Sequence, residues 1–256
     1  MSTAAIRFEG VGFAYGQRRV LEGIEIEVSE GSVTAILGPN GVGKTTLLFL
    51  ALGWLRPSEG QVVVNGQPLR SYSRRQMGQM MGLVPQTEHI PFEYSVVEYV
   101  LLGRAPHLEP LETPGPDDVD RALAALSRVG LQGFEDRRIT SLSGGERELA
   151  LVARALAQEP RMLLLDEPTS HLDLKNKRRM VEVIGDLASS GVTVLFTTHE
   201  PDLAAALATD LVLLHGGSVL RAGPVAETLT GENLSETYGV SVRVVEADGR
   251  RAIFWL

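Results

Sequence analysis

The sequence predicts an α/β fold with a mainly parallel sheet, and three observations carry that expectation. A short, mostly apolar run, Val33-Thr34-Ala35-Ile36-Leu37, feeds a glycine-rich loop and then the helical pattern of Thr46-Leu47-Leu48-Phe49-Leu50-Ala51-Leu52. Two further apolar runs end in chemistry-bearing residues: Arg161–Leu165 in Asp166-Glu167, and Val192–Thr198 in His199. Helical periodicity separates these runs, and strands separated by helices imply parallel pairing with ligands at the carboxyl ends of the strands.

Taking the chain in order, Ile6 to Val28 reads as antiparallel. Ile24, Ile26 and Val28 alternate with Glu25, Glu27 and Ser29, giving a strand with one wet face. Phe13-Ala14-Tyr15-Gly16 lies in a loop ahead of the glycine-rich segment, where Tyr15 either stacks on a nucleobase or packs as an ordinary aromatic. The loop itself, Gly38-Pro39-Asn40-Gly41-Val42-Gly43-Lys44-Thr45-Thr46, fits the phosphate-binding pattern G-x-x-x-x-G-K-[ST]. Its glycines let consecutive backbone N–H groups point at phosphate beside a helix N-terminus. Lys44 can reach the β- and γ-phosphates, and the Thr45 hydroxyl can ligate Mg²⁺. The expected ligand is a nucleoside triphosphate.

Gln61–Val64 reads as a strand ended by the turn pair Asn65-Gly66. Leu69–Met81, with Arg70, Arg74 and Arg75, reads as a helix with a solvated basic face. Gly82–Pro85 is a short strand ending at Gln86, a residue that can touch Mg²⁺ or an attacking water but is also an ordinary loop residue. From about residue 91 to 159 the pattern is helical: a helix at Val96–Leu102, a loop broken by Pro106, Pro110, Pro114 and Pro116, a helix at Asp117–Gly130, and one from Ser143 to Ala157. The expected organisation is one domain: a nucleotide-binding core with an antiparallel part over roughly 1–90 and 160–256, and a helical subdomain between them. Gly216-Gly217 and Asp248-Gly249 read as hairpin turns.

Asp166, at a strand tip beside a phosphate loop, is placed to hold Mg²⁺, and Glu167 to polarise a water for in-line attack on the γ-phosphate; the plain alternative is a helix cap or surface charge. Ser143 with Glu146 is a capping box. Gly144 and Gly145 are not needed for capping and each costs about 1 kcal/mol relative to alanine, so they suggest close approach of an anion to the helix start.

Together these motifs resemble the nucleotide-binding subunit of ATP-binding cassette (ABC) transporters over nearly the whole chain. The phosphate loop, Gln86, Leu142–Glu146, Leu165–Thr169, Ser170-His171-Leu172-Asp173 and His199 stand in the family's order. The resemblance implies ATP and Mg²⁺, with Tyr15 on adenine and Gln86 sensing Mg²⁺ and contacting the membrane partner. It implies Ser143, Gly144 and Gly145 on a γ-phosphate held by a second copy, Glu167 as general base, Asp173 bridging the two sites and His199 on the γ-phosphate. Glu146 stands where many members have glutamine. Two copies packed head-to-tail would sandwich two ATP molecules, and integral membrane permease subunits would be further partners, with a periplasmic or surface substrate-binding protein engaged indirectly. The segments Ser95–His107 and Leu234–Val240 resemble importers for iron-siderophore, haem and cobalamin. Exporter motors and soluble cassette ATPases of DNA repair or translation are the alternatives.

Composition bounds these readings. The chain has 256 residues, 44% of them hydrophobic, and a formal net charge of -8, with a mean hydropathy near zero. The negative charge argues against a nucleic-acid partner. With no cysteine, disulfides and thiolate metal sites are excluded. No apolar run approaches the roughly 18 residues of a membrane span, and Met1–Arg7 lacks the basic and apolar segments of a secretory signal. The expected location is the cytoplasmic face of the cell membrane, reached through a permease.

Overall fold

The computed structural model describes residues 4–170, 172–247 and 250–256, so His171 and the expected turn pair Asp248-Gly249 lie outside the described residues. In chain order the first elements are β1 (Ala4–Tyr15), β2 (Arg18–Ser29), β3 (Val33–Leu37), α1 (Lys44–Ala51), β4 (Glu59–Val64) and β5 (Gln67–Pro68). Next come α2 (Arg74–Met80), β6 (Met81–Val84), α3 (Val96–Leu101), α4 (Pro116–Arg128), α5 (Gly144–Ala157), β7 (Met162–Asp166) and α6 (Leu174–Ser189). The chain closes with β8 (Thr193–Thr198), α7 (Pro201–Leu207), β9 (Asp210–His215), β10 (Ser218–Pro224), α8 (Val225–Thr228), α9 (Gly231–Tyr238), β11 (Val242–Ala247) and β12 (Arg250–Trp255). It divides into two compact units, Met1–Tyr72 with Gly191–Leu256, and Ser73–Ser190.

In the first unit, β2, β1, β4 and β5 form an antiparallel sheet in that order. The alternation read in β2 is the observed one. Leu21, Ile24, Ile26 and Val28 are buried while the glutamates between them face solvent. Tyr15 is the last residue of β1 rather than part of a longer loop. Asn65 and Gly66, at φ 47° and 77°, make the tight turn from β4 into β5. A second set of strands runs β10-β9-β3-β8. Within it β3 lies parallel to both β8 and β9, and β10 antiparallel to β9. Every residue of β3 and β8 is buried, the pattern of parallel strands covered on both faces. β11 and β12 pair antiparallel as expected.

In the second unit, β6 and β7 are parallel, with Val84 opposite Leu165. Helices α3, α4 and α5 bury Val96, Tyr99 and Val100, then Ala122, Ala125 and Leu126, then Leu149, Ala150, Val152, Ala153 and Leu156. Three local expectations shift. The helix expected over Leu69–Met81 is split: Leu69–Ser71 is a single 3₁₀ turn, Ser73 caps α2 in a capping box with Gln76, and Met81 already belongs to β6. Arg75 is tied down rather than simply solvated, donating to the Pro106 carbonyl (3.2 Å) and to Glu109 (2.7 Å). The proline-rich loop is partly ordered, because Leu102–His107 winds a 3₁₀ turn and Pro116 opens α4 at a position that needs no N–H.

That 3₁₀ turn is fastened by Arg104. Its guanidinium is buried and bonds Asp118 (2.8 Å), Glu159 (3.0 Å) and the Ala157 carbonyl at the end of α5 (2.7 Å). A Cβ on Gly103 would stand 2.1 Å from the Arg154 carbonyl oxygen, so only glycine lets the turn lie against α5. Among the described residues no helix is long and apolar enough to cross a membrane.

Candidate functional site

The glycine loop sits in the first unit between β3 and α1. Gly43 stands immediately before α1 at φ 111°, and a Cβ there would lie 2.6 Å from Leu21 Cδ2. Backbone conformation and space both favour glycine at this position, directly ahead of the helix start. Lys44 is buried, and its Nζ donates to the carbonyls of Gly38 (2.9 Å) and Pro39 (3.2 Å), curling the cation over the loop. Thr45 is half-buried and Thr46 buried, while Pro39, Asn40 and Gly41 lie at the surface side of the loop. The same unit carries Tyr15, half exposed and edge-on to Phe13 with ring centroids 4.8 Å apart. His199 is exposed one residue beyond β8. An open pocket against the loop is lined by Arg18, Arg19, Gly41, Val42 and the Gly216-Gly217 turn. Sequence reasoning passed over these arginines; the available signal was a basic pair three residues after Tyr15.

In the second unit, β7 is buried from Met162 to Asp166 and delivers the Asp166 carboxylate at its tip. Glu167 follows at φ 49°, a left-handed backbone that costs a non-glycine residue about 1–3 kcal/mol. Gln86 Nε2 donates to Glu167 Oε2 at 3.4 Å. The register explains the meeting. Val84 pairs with Leu165, so residues two steps further along each parallel strand emerge side by side. Sequence reasoning picked both residues without the link between them.

Close by, the Tyr99 hydroxyl donates to Glu88 (3.2 Å) and Arg154 pairs with the same carboxylate (2.6 Å). Burial pushes the Tyr99 phenol up. Burial also raises Glu148 on α5, which has no described ion-pair partner, to about 7. Of these four residues only Tyr99 falls in a segment that the sequence singles out, Ser95–His107.

Ser143, Gly144 and Gly145 open α5. Ser143 accepts from the Glu146 N–H (3.3 Å), and the Ser143 N–H donates to Glu146 (2.8 Å), completing the expected capping box. That backbone bond, with the Ser143 hydroxyl, holds the Glu146 carboxyl below its usual range. A glutamate therefore serves the N3 position as a glutamine would. The two glycines divide. A Cβ on Gly145 would lie 2.1 Å from Asn176 Nδ2 of α6, so packing alone requires glycine there, whereas Gly144 has nothing within 4 Å. The expectation that both glycines admit an anion is thus carried by Gly144, with Gly145 explained by its neighbour. Asp173 caps α6, accepting from the Asn176 N–H at 2.8 Å.

The donor types suit a magnesium nucleotide. Each unit offers a hard oxygen donor of the kind Mg²⁺ prefers, the Thr45 hydroxyl in the first and the Asp166 carboxylate in the second, and the glycine cradle of the first is one that a Cβ would fill.

The ABC transporter family model matches residues 21–170. The molybdate import ATP-binding protein MolC of Haemophilus influenzae is 37% identical over 98% of this chain and 94% of its own length. The hemin import ATP-binding protein HmuV of Agrobacterium fabrum is 35% identical over 92% and 91%. Among solved structures, an inward-facing metal-chelate type ABC transporter is 35% identical with a TM-score of 0.86, covering 99% of this chain and 97% of that one. A dimeric bacterial ABC transporter cassette is 26% identical with a TM-score of 0.76, covering 86% and 98%.

Proposed function

The chain belongs to the ABC transporter family as an ATP-hydrolysing subunit of an import system, and from that premise we propose that it powers uptake of a metal chelate, of the iron-siderophore, haem or cobalamin kind, through separate membrane permease subunits. The importer reading is supported by the hemin-import relative and the metal-chelate type structure. The segments Ser95–His107 and Leu234–Val240 agree with it.

The proposed chemistry follows from the residues. The loop Gly38–Thr46 holds the phosphates of ATP, with Lys44 offsetting their charge and Tyr15 against the base. Thr45, Asp166 and Gln86 would hold Mg²⁺, which would offset charge on the phosphate oxygens. Glu167 takes a proton from water as the hydroxide oxygen bonds to the γ-phosphorus and the bond to ADP breaks, releasing phosphate. His199 contacts the γ-phosphate. Ser143, Gly144 and Gly145, presented by the helical subdomain over about 91–159, bind the γ-phosphate held by a second copy, and Asp173 bridges the two sites. Loss of that phosphate removes the contacts holding the two copies together, a population shift driven by differential ligand contacts. The subunit then works at the cytoplasmic face of the membrane, held there by the permease, with the substrate-binding protein engaged only through it.

The single observation that carries the catalytic assignment is Glu167 held at a strand tip by Gln86 (3.4 Å). Glu167→Gln keeps ATP binding, abolishes turnover and traps an ATP-bound dimer, read by phosphate release and size-exclusion chromatography with MgATP. Normal turnover in that variant would refute the base assignment.

A further inference from the structure

His199 stands just past the end of β8, where the ladder of β3 no longer holds the backbone: the last pair is Leu37 with Thr198. Hydrogen bonds to side chains continue the support. The Glu200 N–H donates to Thr198 Oγ1 (3.0 Å), and the His199 carbonyl accepts from the Tyr238 hydroxyl (3.2 Å). Tyr238 is the last residue of α9, and α9 is fastened along its length. Thr230 caps it through the Asn233 N–H (3.2 Å), Leu234 and Thr237 are buried, and Ser235 Oγ accepts from the Val242 N–H (2.9 Å). At its end, His215 Nδ1 donates to the Thr237 carbonyl (3.1 Å).

His215 closes β9, and β9 also supports the glycine loop. Leu213 pairs with Leu37, and a Cβ on Gly38 would stand 2.7 Å from the Leu214 carbonyl oxygen. One continuous frame within the first unit therefore runs from the start of the glycine loop through the end of β9 and α9 to the backbone of His199. We propose that Tyr238 is a positioning residue for hydrolysis: its hydroxyl fixes the His199 backbone and so the direction of the imidazole. The proposal rests on the reading of His199 as the γ-phosphate contact.

Tyr238→Phe deletes only the hydroxyl and keeps the ring's packing. The test is ATP turnover and single-turnover hydrolysis by the full chain with MgATP. We expect a loss of about three- to tenfold in kcat, the scale of one partly exposed hydrogen bond, with KM for ATP and the thermal midpoint unchanged. In a His199→Ala background the same substitution has no further effect on the single-turnover rate, because the group being positioned is gone. Wild-type kcat in Tyr238→Phe, a loss expressed in KM or in the thermal midpoint, or an equal loss in the His199→Ala background overturns the proposal. If His199→Ala itself turns over normally, the underlying reading of His199 falls and the proposal with it. If His199→Ala is impaired while Tyr238→Phe is normal, only the positioning role is lost.

Discussion

Glu148→Gln should stabilise the protein at alkaline pH and hardly at all in acid. Glu148 lies on α5 with no described ion-pair partner, and burial alone raises its carboxyl from the ordinary 4.5 to about 7. The folded state therefore keeps a proton that the unfolded chain releases between those two values. Below pH 4.5 both states are protonated and the residue is neutral to stability. As pH rises toward 7 the unfolded state gains, and above 7 the folded state carries a buried carboxylate. At about 1.4 kcal/mol per pH unit the full difference is about 3 kcal/mol. Glutamine mimics the protonated acid at every pH, so the variant's advantage should be under about 1 kcal/mol at pH 5 and about 3 kcal/mol at pH 8. Urea unfolding of both proteins across pH 5 to 8.5 reads this directly, since every other titrating group cancels in the difference. A pH-independent difference would mean that Glu148 ionises normally, and the desolvation argument would be wrong.

Two further outcomes follow from the same structure. Arg104→Ala leaves Asp118, Glu159 and the Ala157 carbonyl without the buried guanidinium they share. It should lower stability in urea unfolding by about 1–3 kcal/mol, the scale of one buried carbonyl left unsatisfied, and Arg104→Lys should not restore it, because one ammonium cannot reproduce the fork. The two glycines that open α5 should separate by assay: Gly145→Ala meets Asn176 at 2.1 Å and lowers stability, whereas Gly144→Ala has open space around it. The latter leaves thermal stability equal or higher by up to about 1 kcal/mol while reducing ATP-dependent dimerisation and turnover. An active, dimerising Gly144→Ala would argue against an anion at that helix start.

The glycine loop, the Ser143 capping box, the alternation of β2 and the carboxylates at the tip of β7 were all legible in the residues. Each depends on neighbours within a few positions, where backbone hydrogen bonding and side-chain period act. The α2 boundary was missed because Ser73 and Gln76 form a local cap that overrides the apolar pattern around them. The 3₁₀ turn after α3 was missed because Arg104 draws its partners from 14 to 55 residues away.

What the sequence by itself determined is the inventory: phosphate loop, strand-tip acids, the glycine-opened helix α5 and the histidine after β8, and with them the family. Tertiary structure decided which of these act on one another. Gln86 meets Glu167 because of a parallel register, Gly145 answers to Asn176, Glu148 is shifted by burial, and Tyr238 reaches the His199 backbone from 39 residues away. Register between distant strands, and contacts between residues far apart in the chain, are properties of packed elements that neighbouring positions do not encode.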